Sequence, residues 1–271
     1  MTNNYLTGPR PRLFGHRGSA ATHPENTLPA FAAALEAGVP YLELDVHATA
    51  DGEVVVLHDD TLLRTCGVDR AVSHLALREL KQYDAGFTFT PDGGGSFPFR
   101  ERGITVPTLA EVLEAFPQAL FNIEIKQEAP GIEGRTLDIL AATGRSESVL
   151  LAAEQDLIMA RLRPLCGAIP TSFSFQELVA FFTWLGTQDP PDYRPPARVL
   201  QIPEVWQGRT LVTEEMLAAT RHLGLEVHVW TVNAAADMRR LLTMGVDGLM
   251  SDDPALLVRM AAQSGPDENK P

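Results

Sequence analysis

Cysteine is almost absent from this chain: Cys66 and Cys166 stand 100 positions apart, outside any CxxC spacing. That excludes a disulfide framework and a cysteine-built zinc site. A single bridge would need the fold to bring the two together, so the expectation is two free, reduced thiols. Basic residues are also short, 22 Lys and Arg against 35 Asp and Glu, for a formal net charge of −13. A surface of that sign argues against nucleic acid and against an anionic membrane as partners. Long apolar runs are missing too. No stretch approaches the roughly 18 residues a membrane span needs, and Met1–Arg12 holds no apolar leader core. The expectation is a cytoplasmic chain with no signal peptide and no stable membrane insertion.

What is present is a core-forming composition, 45% hydrophobic over 271 residues, which suits one barrel of about 250 residues. Short apolar runs read as strands at Leu13–Gly15, Tyr41–Val46, Val54–Leu57, Leu120–Ile125, Val149–Ala152, Ala168–Phe173, Val199–Ile202, Glu226–Trp230 and Gly248–Met250. Helical segments alternate with them, the pattern of a parallel α/β sheet. Asn26, Thr108 and Asn233 look like helix N-caps. The gap between Val46 and Val54 is too short for a parallel crossover. With Asp51-Gly52 as a two-residue turn, Val54–Leu57 becomes the return arm of a hairpin, with Asp45 facing His58 and Val46 facing Leu57. Removing that arm leaves eight parallel strands, hence an irregular (β/α)8 TIM barrel. Residues 1–262 form one domain with a rim insertion at about 60–107, and 263–271 read as a flexible tail. Phe87–Arg102 and the Pro-rich stretch 186–197 read as rim loops.

Side chains at strand C-termini converge on one face of such a barrel. His16 and Arg17 follow the first strand, and Glu43 and Asp45, two apart, point the same way from the second. Glu124 and Lys126 repeat that spacing on the next parallel strand. Trp230, one of three tryptophans, ends an apolar run, and Ser251-Asp252 follow the last strand. Three converging carboxylates repel unless a hard cation sits among them, and oxygen ligation favours Mg²⁺ or Ca²⁺. With Arg17 and Lys126 alongside, that set cradles a phosphoryl group. His16 and His58 can supply a base and an acid, a layout for phosphodiester cleavage. His23, His47, His74, His222 and His228 read as structural or solvated.

These segments resemble the glycerophosphodiester phosphodiesterase family. The resemblance is carried by Gly15-His-Arg-Gly18, Pro24-Glu-Asn-Thr27, Glu43-Leu-Asp-Val46, Asp51-Gly52 and His58-Asp59. It continues with Arg64-Thr65, Pro107-Thr-Leu-Ala-Glu-Val112, Asn122-Ile-Glu-Ile-Lys126, His228-Val-Trp-Thr-Val-Asn233 and Gly245-Val-Asp-Gly248, in order over residues 12–258. The resemblance implies hydrolysis of glycerophosphodiesters to an alcohol and glycerol 3-phosphate. It implies a divalent metal on Glu43, Asp45 and Glu124, with His16 and His58 as the acid–base pair. Arg17 and Lys126 would hold phosphate, Glu25 and Asn26 would line the site, and Trp230 would wall the glycerol pocket. We assign His16 as base and His58 as acid, although the residues fit either assignment, and either direct water attack or a cyclic phosphate. The chain departs from the family pattern at Ala152-Ala-Glu154, where Ser-Phe is usual. Rival readings are a lysophospholipase D or phosphoinositide-type phosphodiesterase, favoured by an apolar groove beside Trp230 roofed by Phe87, Phe89 and Phe97. A Schiff-base aldolase on Lys126 and a non-catalytic binding barrel are more remote. Oligomeric state is not encoded in any feature above.

Overall fold

A computed structural model describes residues 4–187 and 192–263. The tail beyond 263 and positions 188–191 of the Pro-rich loop lie outside the described residues. The strands are β1 (Arg12–His16), β2 (Tyr41–Ala48), β3 (Val54–Val56), β4 (Leu120–Ile125), β5 (Val149–Ala152), β6 (Val199–Pro203), β7 (Val205–Trp206), β8 (Arg209–Thr210), β9 (Glu226–Trp230) and β10 (Gly248–Ser251). A parallel sheet runs β5-β4-β2-β1-β10-β9-β6. Its two ends are joined through residues 171 and 172, with parallel bridges from Thr171 to Leu151 and from Ser172 to Val199. The expected fifth stave, Ala168–Phe173, is thus present only as that pair of bridges. With it the sheet closes as an irregular eight-stave TIM barrel.

Alternation explains why β2 is buried along its whole length. Leu42, Leu44 and Val46 pack outward in the cluster that includes Phe31, Val112 and Leu113 of the surrounding helices. Tyr41, Glu43 and Asp45 therefore project into the barrel. The same rule on β4 sends Phe121, Ile123 and Ile125 out and Asn122 and Glu124 in. Two clusters of helix-on-sheet packing flank an inner core of Phe14, Tyr41, Leu150, Val199 and Met250.

β3 is antiparallel to β2, as expected, but its register is shifted by one residue: Val46 faces Val56 and Ala48 faces Val54. The turn is longer than two residues. Thr49 and Glu53 pair through their backbones, and Ala50, Asp51 and Gly52 form a three-residue loop ending in the left-handed region. Thr49 Oγ1 selects that loop by donating to Asp51 Oδ1 at 2.5 Å and accepting from Glu53 N at 3.0 Å. Leu57 N accordingly donates to Asp45 O, so Asp45 stands opposite Leu57 and not His58.

The rim insertion has a core of its own, with Leu57, Leu62, Val72, Leu75, Leu80 and Val106 buried together. A short helix, Leu63–Cys66, starts it, and no capping signal in the sequence announces that helix. Both cysteines are free and buried. No helix among the described residues is long and apolar enough to cross a membrane.

A charged plug closes the barrel floor. Arg12, fully buried, donates bidentately to Glu226 at 2.8 and 2.9 Å, to Tyr41 Oη at 2.7 Å, and to the carbonyls of Leu6 and Gly8. Burial opposes ionisation of Glu226, but Arg12 and then His228 outweigh it and hold its carboxyl down at about 2. Glu226→Gln leaves Arg12 buried without its counter-ion, and the expected cost is about 3–5 kcal/mol at pH 7. A depressed carboxylate stabilises the fold fully above its ordinary value of 4.5 and loses that contribution as pH falls towards 2. The wild-type urea midpoint should therefore fall more steeply below pH 4.5 than that of the variant. Parallel slopes would contradict the pairing.

Candidate active site

The loop after β1 is built around two glycines. A side chain at Gly15 would meet Ala34 Cβ at 2.8 Å, and one at Gly18 would meet the Ala30 backbone at 2.6 Å. The helix Leu28–Glu36 can therefore press against the loop, and it pushes His16 and Arg17 over the barrel mouth. Arg17 adopts a left-handed backbone, φ 54°, as does Asn26, φ 56°. Arg17 N donates to Glu43 Oε2 at 2.9 Å, so the strained turn is tied directly to the acidic cluster. Thr27 caps the helix, not Asn26. Asn26 instead donates from Nδ2 to Asp45 Oδ2 at 3.0 Å.

Sheet register assembles the carboxylates. His16 lies beside Glu43, Glu43 beside Asn122, and Asp45 beside Glu124. One oxygen from each of Glu43, Asp45 and Glu124 lies within 4.8 Å of the others. Lys126 Nζ sits 2.7 Å from Glu124 and 3.2 Å from Asp45, and Arg17 Nε sits 3.3 Å from Asp45. These two cations do not neutralise the set. Burial, then the charge of Asp45, pushes Glu43 up to about 7, and burial raises Glu124 against the pull of Lys126. Asp45 is held below its ordinary value because Lys126 and Arg17 outweigh its burial. Asn26 Oδ1, beside this set, is buried without a donor. Surplus negative charge, all-oxygen donors and an orphaned acceptor fit a hard divalent cation.

Each candidate catalytic histidine is braced by an acid through Nδ1, leaving Nε2 to react. His16 Nδ1 lies 2.7 Å from Asp252 Oδ1, and Asn233 Nδ2 holds Asp252 Oδ2 at 2.6 Å. Burial lowers the affinity of His16 for a proton, yet the Asp252 bond and Glu43 raise it overall. His58 Nδ1 lies 2.7 Å from Asp59 Oδ1. Arg64 grips Asp59 at 2.7 and 2.9 Å and also binds Glu25, which pairs with Arg17 at 3.1 Å. Arg64, then His58, keeps Asp59 at about 2 against its partial burial. Asn233, expected as a helix cap, is spent on Asp252, and Ala234 takes the cap position. The roles of Asp252, Asp59 and Arg64 were not foreseen; the His58-Asp59 adjacency was the available signal. His47 is structural, its ring bonded to His58 O at 3.0 Å, and His228 belongs to the floor plug.

The mouth opens into a cavity of about 900 Å³ whose lining includes His16, Arg17, Glu43, His58, Glu124 and Lys126, with Trp230 on its wall. Glu25 and Asn26 do not line it; they stand behind it as supports for Arg17, Arg64 and Asp45. Phe87, Phe89 and Phe97 do not roof it either. Arg100 stacks on Phe87 and Phe97 at 4.3 and 3.8 Å, and Phe89 packs on Phe99.

Residues 16–256 match the model of the glycerophosphoryl diester phosphodiesterase family. The chain belongs to that family. Among its relatives, a glycerophosphodiester phosphodiesterase of Caldanaerobacter subterraneus is 29% identical over 93% of this chain and 98% of its own. A lysophospholipase D of Mus musculus is 30% identical, over 91% and 84% respectively. A solved glycerophosphodiester phosphodiesterase of Agrobacterium tumefaciens superposes with a TM-score of 0.72 at 25% identity, covering 92% and 99%. Membership in the family makes this chain a phosphoric diester hydrolase.

Asp252 is not among the residues lining the cavity and faces it through His16 Nδ1, so the role expected of it is to position that ring. Asp252→Asn is expected to lower kcat about 10–100-fold with KM within twofold, and Asp252→Glu to recover part of the loss. A change confined to KM or to thermal stability would contradict that role.

Proposed function

We propose that the protein hydrolyses glycerophosphodiesters to an alcohol and glycerol 3-phosphate, as one catalytic domain over residues 1–262 in the cytoplasm. The observation that carries this reading is the register of β2 against β4, which sets Asp45 beside Glu124 between two acid-braced histidines. Glu43, Asp45 and Glu124 would hold Mg²⁺ or Ca²⁺, which when bound polarises a phosphoryl oxygen. Arg17 and Lys126 bind the phosphate and offset its charge. His16, tucked against Glu43 at 3.9 Å, takes the proton of the attacking hydroxyl at Nε2. His58, on the open side of the rim, delivers a proton from Nε2 to the departing alkoxide. Asp252 and Asp59 keep each ring in the tautomer with Nδ1 protonated. Trp230 offers its ring to the carbon skeleton of the glycerol. The substrate is a small molecule, and the net charge of −13 disfavours nucleic acid as a partner.

Chelation should abolish turnover of glycerophosphocholine, and added Mg²⁺ or Ca²⁺ should restore it and raise Tm. Glu124→Gln should lose the metal-dependent rise in Tm. His16→Ala and His58→Ala should each lower kcat about 10²–10⁴-fold. Turnover that persists in both histidine variants would refute the mechanism.

A further inference from the structure

Arg64 holds two carboxylates at once. Its Nε and Nη2 donate to Asp59 at 2.7 and 2.9 Å, while Nη1 and Nη2 donate to Glu25, the second at 2.9 Å. Both ends of that grip lead into the active site. Asp59 braces His58 at Nδ1, 2.7 Å away. Glu25 accepts from Arg17 Nη1 at 3.1 Å through Oε1, the same oxygen that takes Arg64 Nη2. Two guanidiniums thus share one carboxylate oxygen. A single line of contacts runs from the histidine on the leaving-group side to the cation that holds the phosphate.

Charge along that line is balanced, with Arg17 and Arg64 facing Glu25 and Asp59. Burial opposes the charge on Glu25, yet Arg64 and then Arg17 hold its carboxyl below the ordinary value. At the inner end, Glu25 takes Arg17 Nη1 and Asp45 lies 3.3 Å from Nε, which turns Nη2 toward the phosphate. At the outer end, the rim insertion fixes Arg64. The helix Leu63–Cys66 that carries it ends at Gly67, φ 72°. Thr88 Oγ1, from the rim loop, donates to the carbonyls of Arg64 and Thr65 at 2.6 and 2.8 Å. A side chain at Gly67 would meet Phe87 at 3.0 Å, so that loop lies directly against the helix end.

We propose that Arg64 is a positioning residue that couples phosphate binding to protonation of the leaving group, tied to Arg17 through Glu25 and to His58 through Asp59. The proposal rests on the phosphodiesterase reaction above, with His58 as its acid. As the phosphorus–oxygen bond breaks, His58 Nε2 passes its proton to the departing oxygen. That transfer needs the ring aligned on an oxygen whose place is set by the phosphate, and so by Arg17. Yet His58 follows β3 and Arg17 follows β1, two elements that do not pair with each other. The shared carboxylate joins them. A planar guanidinium can grip both acids in a fixed geometry, whereas an ammonium group is a point charge that cannot.

The test uses metal-loaded protein and two diesters of glycerol 3-phosphate, one releasing choline and the other p-nitrophenol. Choline departs as an alkoxide that needs a proton, and p-nitrophenolate departs without one. Arg64→Ala is expected to lower kcat about 10–100-fold for the choline ester and less than about threefold for the nitrophenyl ester. Arg64→Lys and Asp59→Asn should show the same split, so a folding defect in one variant leaves the test intact. Glu25→Gln should raise KM for both esters, because Arg17 loses its anchor, and lower kcat for the choline ester alone. Combined with Arg64→Ala, it should slow that ester no more than the larger single change does. Equal slowing of the two esters by Arg64→Ala and Arg64→Lys, or none, would overturn the positioning of the acid. Full multiplication of the Glu25 and Arg64 effects would overturn the coupling. Both outcomes leave the hydrolysis standing; a wild-type protein that cleaves neither ester would overturn that as well.

Discussion

Mutual repulsion among Glu43, Asp45 and Glu124 is the constraint around which the upper barrel is arranged. Strand register brings the three together inside a low-dielectric wall, where unpaired charge is expensive. Nearly every polar group nearby is turned toward that problem: Lys126 between two of the acids, Arg17 by side chain and by amide, Asn26 by its amide group. Arg17 and Asn26 hold left-handed backbones to do so. The compensation is incomplete, which raises the proton affinity of Glu43 and suits the set to a hard divalent cation.

The barrel and most of its working face could be read from residue order because they depend on period and spacing. Two-residue alternation puts Glu43 with Asp45 and Glu124 with Lys126. The short gap after Val46 forces a hairpin. What escaped depends on side chains that answer to distant partners. Thr49 lengthened the turn by one residue and moved the register. Asn26 and Asn233 carry the chemistry of helix caps, yet each amide is claimed by a carboxylate elsewhere, at Asp45 and Asp252. Asp252 lies 236 positions from the ring it orients, a distance no local pattern bridges. The β7–β8 hairpin is too short to leave a periodic signal, and of the aromatic residues expected over the groove Phe87 and Phe97 stack with Arg100 while Phe89 packs on Phe99.

Stability and chemistry occupy opposite ends of the same staves. At the floor, Arg12, Glu226 and Tyr41 form a fully paired network in which hydrogen bonds answer each charge. At the mouth, the equivalent strand ends carry charges that are only partly answered. The rim insertion, with its separate apolar core, lets Asp59 and Arg64 stand firmly beside His58 without drawing on the barrel's packing.

The closing of the sheet between β1 and β10 sets an order in time. β1 finds its second neighbour only when residues 248–251 arrive, and His16 finds Asp252 in the same event. A growing chain that has already made Glu43, Asp45, Glu124, Arg17, Lys126, His16 and His58 still lacks the acid that braces His16. The brace on His16 is therefore the last part of the cluster that the chain supplies, after every strand of the barrel wall.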